Sequence, residues 1–234
     1  MFDAQQNKER ITAARDARRD LVRMMAEADV SSRFDQIVTN RIIRSLSRAV
    51  DLFDDCIILL ENERLTSSLI IARAFFEQAA YTTYILDRAE ELSGDLDALE
   101  AVLVDLDNSS EQRRRLFAED PDPNQAHTEA AVAKYGQKTP AISTAELIKS
   151  LQRALTKLGD DEGKARLMYS TLSEWSHPTL FSVVHAYTKG VPDTPTSIGM
   201  ISAAEARRAY IAWALSLMLM LYVVWTERYD TPEE

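Results

Sequence analysis

LTSSLIIARAFFEQAAYTTYIL, residues 65 to 86, decides the fold class. Its only charges are Arg73 and Glu77, four positions apart and therefore on one face of a helix. Apolar side chains occupy almost every other direction, the pattern of a helix buried on most sides. An unpaired charge there would cost several kcal/mol, on the order of the penalty for a buried ion. Arg73 and Glu77 must therefore meet each other, polar groups on other helices, or a ligand.

Such a helix needs apolar partners. Ser31 and Ser32 can cap a helix running to about Asn62, in which Ile42, Leu46, Ala49, Phe53, Ile57 and Leu60 keep helical spacing. This helix should pack on the central one. A second partner is the stretch Ala209 to Trp225, AYIAWALSLMLMLYVVW, which carries no charge and follows a capping-box pattern at Ser202 and Glu205. It lies at the lower limit of the roughly 17 to 25 residues of a membrane span. A buried bundle helix is preferred, because residues 65 to 86 need a neighbour of equal hydrophobicity; a single C-terminal span is the alternative. Tyr210, Trp213, Leu217, Met220 and Trp225 exceed what a thin bundle would cover, so a homodimer is expected.

The remaining segments read as amphipathic or as turns. Residues 7 to 28 form a helix with Ile11, Ala14, Leu21, Met25 and Ala28 along one side. Its arginines are interleaved with Glu9, Asp16 and Asp20, which reads as a solvated face sooner than a nucleic-acid arm. Residues 89 to 120 are acidic and amphipathic, with Leu96, Leu99, Val102, Leu103 and Leu106 as the apolar stripe, and Pro121 and Pro123 close them. Asn124 to Pro140 is small and polar, a surface excursion in which His127 is a plain surface histidine. Ser143 and Glu146 form a capping box for a helix to about Leu158, and GDDEG is a turn. Residues 189 to 200, with two prolines and two glycines, form a loop.

Composition bounds the function. At 234 residues, with 46% hydrophobic side chains, six glycines and no Gly-, Pro- and Ser-rich divider, one helical domain is expected over 1–234: an N-terminal amphipathic helix within 1–31 and a core over 33–228. The lone Cys56 suits a reducing compartment and no secretory signal follows Met1, so a cytoplasmic location is expected. The net charge of -10 opposes non-specific binding to nucleic acid or anionic lipid, though a local basic groove is compatible with it.

Residues 166 to 187, RLMYSTLSEWSHPTLFSVVHAY, hold the second polar set. Tyr169, Ser173 and His177 recur every four residues and so share one side of a helix. Pro178 ends that helix near Ser176 and sets His177 at a junction, either as a proton-handling group or as a histidine that satisfies backbone groups at a break. His185 reads as a packed core histidine. Glu174 and His177 make one Glu-x-x-His, to which Glu77 would add a metal ligand, but the second Glu-x-x-His of di-iron bundles is missing. Neither a phosphate loop, a zinc spacing nor a nucleophile elbow occurs, so no cofactor and no metal are expected.

Together, the Arg-x-x-x-Glu of Arg73 and Glu77 and the Tyr-x-x-x-Ser-x-x-x-His of Tyr169, Ser173 and His177 resemble a family of uncharacterised bacterial helical proteins, a domain of unknown function, over most of residues 35 to 225. More distantly the chain is similar to HEPN (higher eukaryotes and prokaryotes nucleotide-binding) bundles, many of which are metal-independent dimeric ribonucleases. That resemblance implies an all-α bundle of about six to eight helices with a HEPN-like core, RNA or a nucleotide as partner, and a setting in bacterial defence or toxin systems. The HEPN ribonuclease motif sets an arginine four to six residues before its histidine; here Ser173, Leu172 and Thr171 hold those places. Arg73 would have to reach in from another helix to stabilise phosphorane charge. The expected site is therefore a buried cluster of Arg73, Glu77, Tyr169, Ser173 and His177, in a binding or regulatory domain or, alternatively, a ribonuclease.

Overall fold

Side chains at the helix starts supply the acceptors that the N–H groups of the first turns lack. The Asp3 carboxylate accepts from the backbone N–H of Gln5 at 2.8 Å and opens α1 (Ala4–Glu27). Ser32 Oγ accepts from Asp35 N–H at 3.0 Å and opens α2 (Arg33–Glu61). A tight turn leads into α3 (Leu65–Leu92), and Gly94, at φ +92°, separates it from a short helix over residues 96–103, α4. The capping box of Ser143 and Glu146 is formed at the start of α5 (Thr144–Lys157). Gly159 and Gly163, both at positive φ, make the turn to α6 (Lys164–Ser176), and α7 (Ala203–Tyr229) ends the bundle. This computed structural model describes residues 3–28, 32–92, 94–103, 106, 142–176 and 203–229; among them all regular structure is helical.

α3 is the axis: α2, α5, α6 and α7 all pack against it, while α1 lies chiefly along α7. α2 and α3 are antiparallel. Cys56 Sγ donates to the Ser68 carbonyl at 3.4 Å and Ser68 Oγ donates to the Cys56 carbonyl at 3.2 Å, while Ser45 and Thr82 share a 2.7 Å hydrogen bond farther along. Phe53 meets Phe75 edge to face at 6.0 Å in the same interface. Gln152 fastens the α5–α6 turn: its Nε2 donates to the Asp161 carbonyl at 3.0 Å and its Oε1 accepts from Ala165 N–H at 2.9 Å. One apolar cluster takes side chains from all of these helices.

Two expectations are corrected. α3 continues past Leu86 to Leu92, so the first residues of the stretch read as a separate acidic helix belong to it; Ala89 is buried and Asp87 pairs with Arg153 of α5 at 2.6 Å. α3 is buried on most sides, as its apolar pattern requires: within residues 65–86 only Ile70 is exposed, at 46%, and Arg73 and Glu77 lie half-buried on the same flank. The bundle also covers more of the last helix than expected: Trp213, Leu217, Met220 and Trp225 are buried within one chain and Tyr210 is half-buried, because α1 lies along α7. α7 is long and apolar enough to cross a membrane by length and composition, yet most of it faces the protein interior. His127, His177, Pro178, His185, Ser202 and the loop at 189–200 lie outside the described residues.

Candidate functional site

At about 100° per residue, Ile70, Arg73, Glu77, Tyr81, Tyr84 and Arg88 fall within an arc of about 80° on α3. This arc lies between α2 on one side and α6 on the other. Two of the charges expected in the core thus stand at its edge, with the Arg73 side chain 20% exposed and that of Glu77 39% exposed.

α6 brings in the second group. The Tyr169 hydroxyl donates to Glu77 Oε1 at 3.2 Å and accepts from Arg73 Nη2 at 3.4 Å, while Arg73 Nε donates to Glu77 Oε1 at 3.2 Å. Arg73, Glu77 and Tyr169 therefore close a triangle in which one carboxylate oxygen collects a guanidinium and a phenol. The Tyr169 ring is held from below by Phe76, 6.0 Å away, and Phe76 leans in turn on Trp213 of α7 at 6.0 Å. Ser173, one turn on from Tyr169, has its Oγ shielded from solvent and without a hydrogen-bond partner among the described residues. His177, the fifth expected member, is outside the described residues. Glu174 stands exposed about 140° around α6 from Tyr169, so it does not share a site with Glu77. Among the described residues no three His, Cys, Asp or Glu side chains gather as a metal-binding group.

The arc carries a repeated device that the sequence reading missed. Arg41 of α2 crosses to α3, donating from Nε to the Tyr81 hydroxyl at 2.9 Å with its guanidinium carbon 5.8 Å from the ring centre. Arg73 lies 5.6 Å from the Tyr169 ring, and Arg88 5.5 Å from that of Tyr84, to whose hydroxyl it donates at 3.2 Å. The Tyr84 hydroxyl, and after it Glu91, hold the Arg88 pKa above the ordinary arginine value. Three arginines thus each lie against a tyrosine along one flank of α3. Arg44 and Arg48 extend this basic edge on α2: with Arg41 they occupy an arc of about 60°, and both are exposed. The available signal was the stretch 36 to 50, which has three arginines and no acid in a chain of net charge -10. The denser arginines of α1 also have carboxylate partners, as Arg73 has in Glu77 and Arg88 in Glu91 at 2.5 Å. Arg15 pairs with Glu61, Arg18 with Asp54 at 2.5 Å, Arg19 with Asp16 at 3.1 Å and Arg23 with Asp20 at 3.4 Å.

A model of a family of unknown function (DUF5677) matches residues 40–190, more than half of the sequence. The chain belongs to this family. The matched segment holds Arg41, Arg44, Arg48, the whole arc of α3, and Tyr169, Ser173 and His177. Neither a curated protein nor a solved structure matches the chain.

Chemically, each of the three guanidiniums donates to a tyrosine hydroxyl, and a guanidinium held in this way loses less freedom on binding an oxyanion than a free one does. Among the described residues the arc contains no histidine to move a proton.

Proposed function

We propose that this member of the family is a binding domain that takes a phosphate-bearing ligand, RNA or a nucleotide, across the open flank of α3. The observation that supports this reading is the row of three arginine–tyrosine contacts, Arg41 with Tyr81, Arg73 with Tyr169 and Arg88 with Tyr84, each with a hydrogen bond to the hydroxyl. From Arg73 to Arg88 the row rises about 22 Å along the helix, room for several nucleotides. Bases would stack beside the tyrosines while arginines meet phosphates. Charge of the whole chain opposes such a ligand only weakly at physiological salt, where screening acts over about 8 Å and the local row dominates. The distant likeness to HEPN bundles supports the same ligand class, with a regulatory role in a bacterial defence or toxin system and a cytoplasmic location as its setting.

Fluorescence anisotropy with a labelled single-stranded RNA tests it. Arg44→Glu with Arg48→Glu, both exposed and so harmless to the core, should weaken binding at least about tenfold and flatten its salt dependence. Wild-type protein that leaves the RNA unbound at low salt and micromolar concentration defeats the reading.

A second reading, a metal-independent HEPN-like ribonuclease working as a homodimer, is favoured by one observation: the unpartnered Ser173 Oγ, one turn from Tyr169 in the Tyr-x-x-x-Ser-x-x-x-His pattern. Cleavage of the same RNA in the presence of chelator, lost in His177→Gln, would establish it. Intact RNA after prolonged incubation with wild-type protein excludes it.

A further inference from the structure

The outer face of α2 is charged in a pattern of its own. Arg41, Arg44, Arg48, Asp51, Asp55 and Ile58 follow one another at alternating steps of three and four, which sets them in one stripe along the helix. Arg44, Arg48, Asp51 and Asp55, at its centre, are all exposed and fall within an arc of about 60°. The core face of α2, with Ile42, Ala49 and Phe53, points the other way.

Charge is sorted along this stripe. Arg44 and Arg48 are four apart, as are Asp51 and Asp55, and like charges at that spacing repel. None of the four has an ion-pair or hydrogen-bond partner among the described residues. Asp54, by contrast, is turned to α1 and pairs with Arg18 at 2.5 Å. Ile58, at the acidic end of the stripe, is 56% exposed.

The stripe also has an internal symmetry about the level midway between Ala49 and Val50. Arg48 and Asp51 are equally far from that level, as are Arg44 and Asp55, and Arg41 and Ile58. A second copy laid antiparallel across this face, on a two-fold axis at that level, therefore sets Arg44 against the partner's Asp55 and Arg48 against the partner's Asp51. The two-fold repeats each contact, and Ile58 reaches the aliphatic stem of the partner's Arg41. A parallel arrangement sets arginine on arginine and aspartate on aspartate, so the pattern also selects the direction.

We infer that this face of α2 is the interface of a homodimer, an antiparallel α2–α2 contact held by reciprocal arginine–aspartate pairs. A seam of this polarity makes a weak, salt-sensitive dimer. It does not rest on the ligand proposed above: Arg73 and Arg88 lie on α3 outside the seam, while Arg44 and Arg48 serve either the partner's carboxylates or phosphates.

Sedimentation velocity on the full chain without RNA, at high micromolar concentration, tests it. Wild-type protein should be a dimer at low salt and a monomer at high salt. Asp51→Lys with Asp55→Lys, and separately Arg44→Glu with Arg48→Glu, should each weaken self-association about tenfold or more. Mixed in equal amounts, these two variants should form a one-to-one heterodimer, because every facing pair is then opposite in sign. The chain with all four exchanges should regain wild-type association, and it decides alone should either double variant fail to fold. A wild type that is monomeric at low salt, a dimer that survives both double variants, or the failure of either rescue overturns the proposal.

Discussion

Burial of Cys56 between α2 and α3 pushes its thiol up to about 12, with the Ser68 hydrogen bond opposing and Asp55 adding to the rise. A thiol raised in the folded state stabilises the fold fully below its unfolded pKa, near 9, and that stability is lost as pH climbs from about 9 to about 12. Urea midpoints should therefore fall across this window by about 1.4 kcal/mol per pH unit, and Cys56→Ala should remove that slope. Arg73 and Glu77 call for a smaller figure than their sequence context suggests. As a partly exposed pair they are worth about 1 kcal/mol, not the roughly 3 to 5 kcal/mol of a buried one, so Arg73→Ala should shift the urea midpoint only slightly. A loss above about 3 kcal/mol would show that the pair is effectively buried. The triangle with Tyr169 was legible because spacing of four on each helix fixes which side chains share a face. Arg88, four residues after Tyr84 on the same helix, could have been read from spacing alone, whereas the Arg41 contact was not legible, because its partner depends on which helix lies alongside. The same holds for α1, whose Arg15 and Arg18 find their acids on α2 at Glu61 and Asp54.

Caps were the most readable part of each element. Ser143 and Glu146 announce α5, and both reciprocal bonds are formed, with Ser143 N–H donating to Glu146 Oε2 at 3.0 Å and Glu146 N–H donating to Ser143 Oγ at 3.3 Å. Ser143→Ala should cost about 1 kcal/mol, measured by thermal melting, and a change within error would mean that packing on α3 alone sets the start of α5. The turn that follows has its own signature. Gly159 is at φ +85° with nothing near the place of a Cβ, so Gly159→Ala meets backbone strain without a clash and should cost about 1 kcal/mol. The end of α3 was less readable. Asp87, Arg88, Glu90 and Glu91 break the apolar pattern, yet all are good enough helix formers to continue it until Gly94, and only Ala89 in the core shows which way the added turns face.

In the whole molecule, the all-helical class followed from periodicity, whereas the order of neighbours did not. Nothing in residues 4 to 27 names α7 as their partner, because Ala14, Ala17 and Leu21 would suit any apolar helix. Small residues at Ala14 and Ala17 leave room for the bulky face of α7, so Ala14→Leu should overpack this seam and cost about 1 to 3 kcal/mol in urea unfolding, more than Val22→Leu on the exposed side. Equal effects of the two would place α1 elsewhere. The docking of the first helix on the last has a consequence during synthesis. A ribosome adding about 5 to 20 residues per second takes on the order of ten to forty seconds to pass from the seam of α1 to that of α7. Through that interval α2 and α3 can already close their hairpin, while α1 holds its apolar edge open. A helix made before the hairpin is thus enclosed only after it.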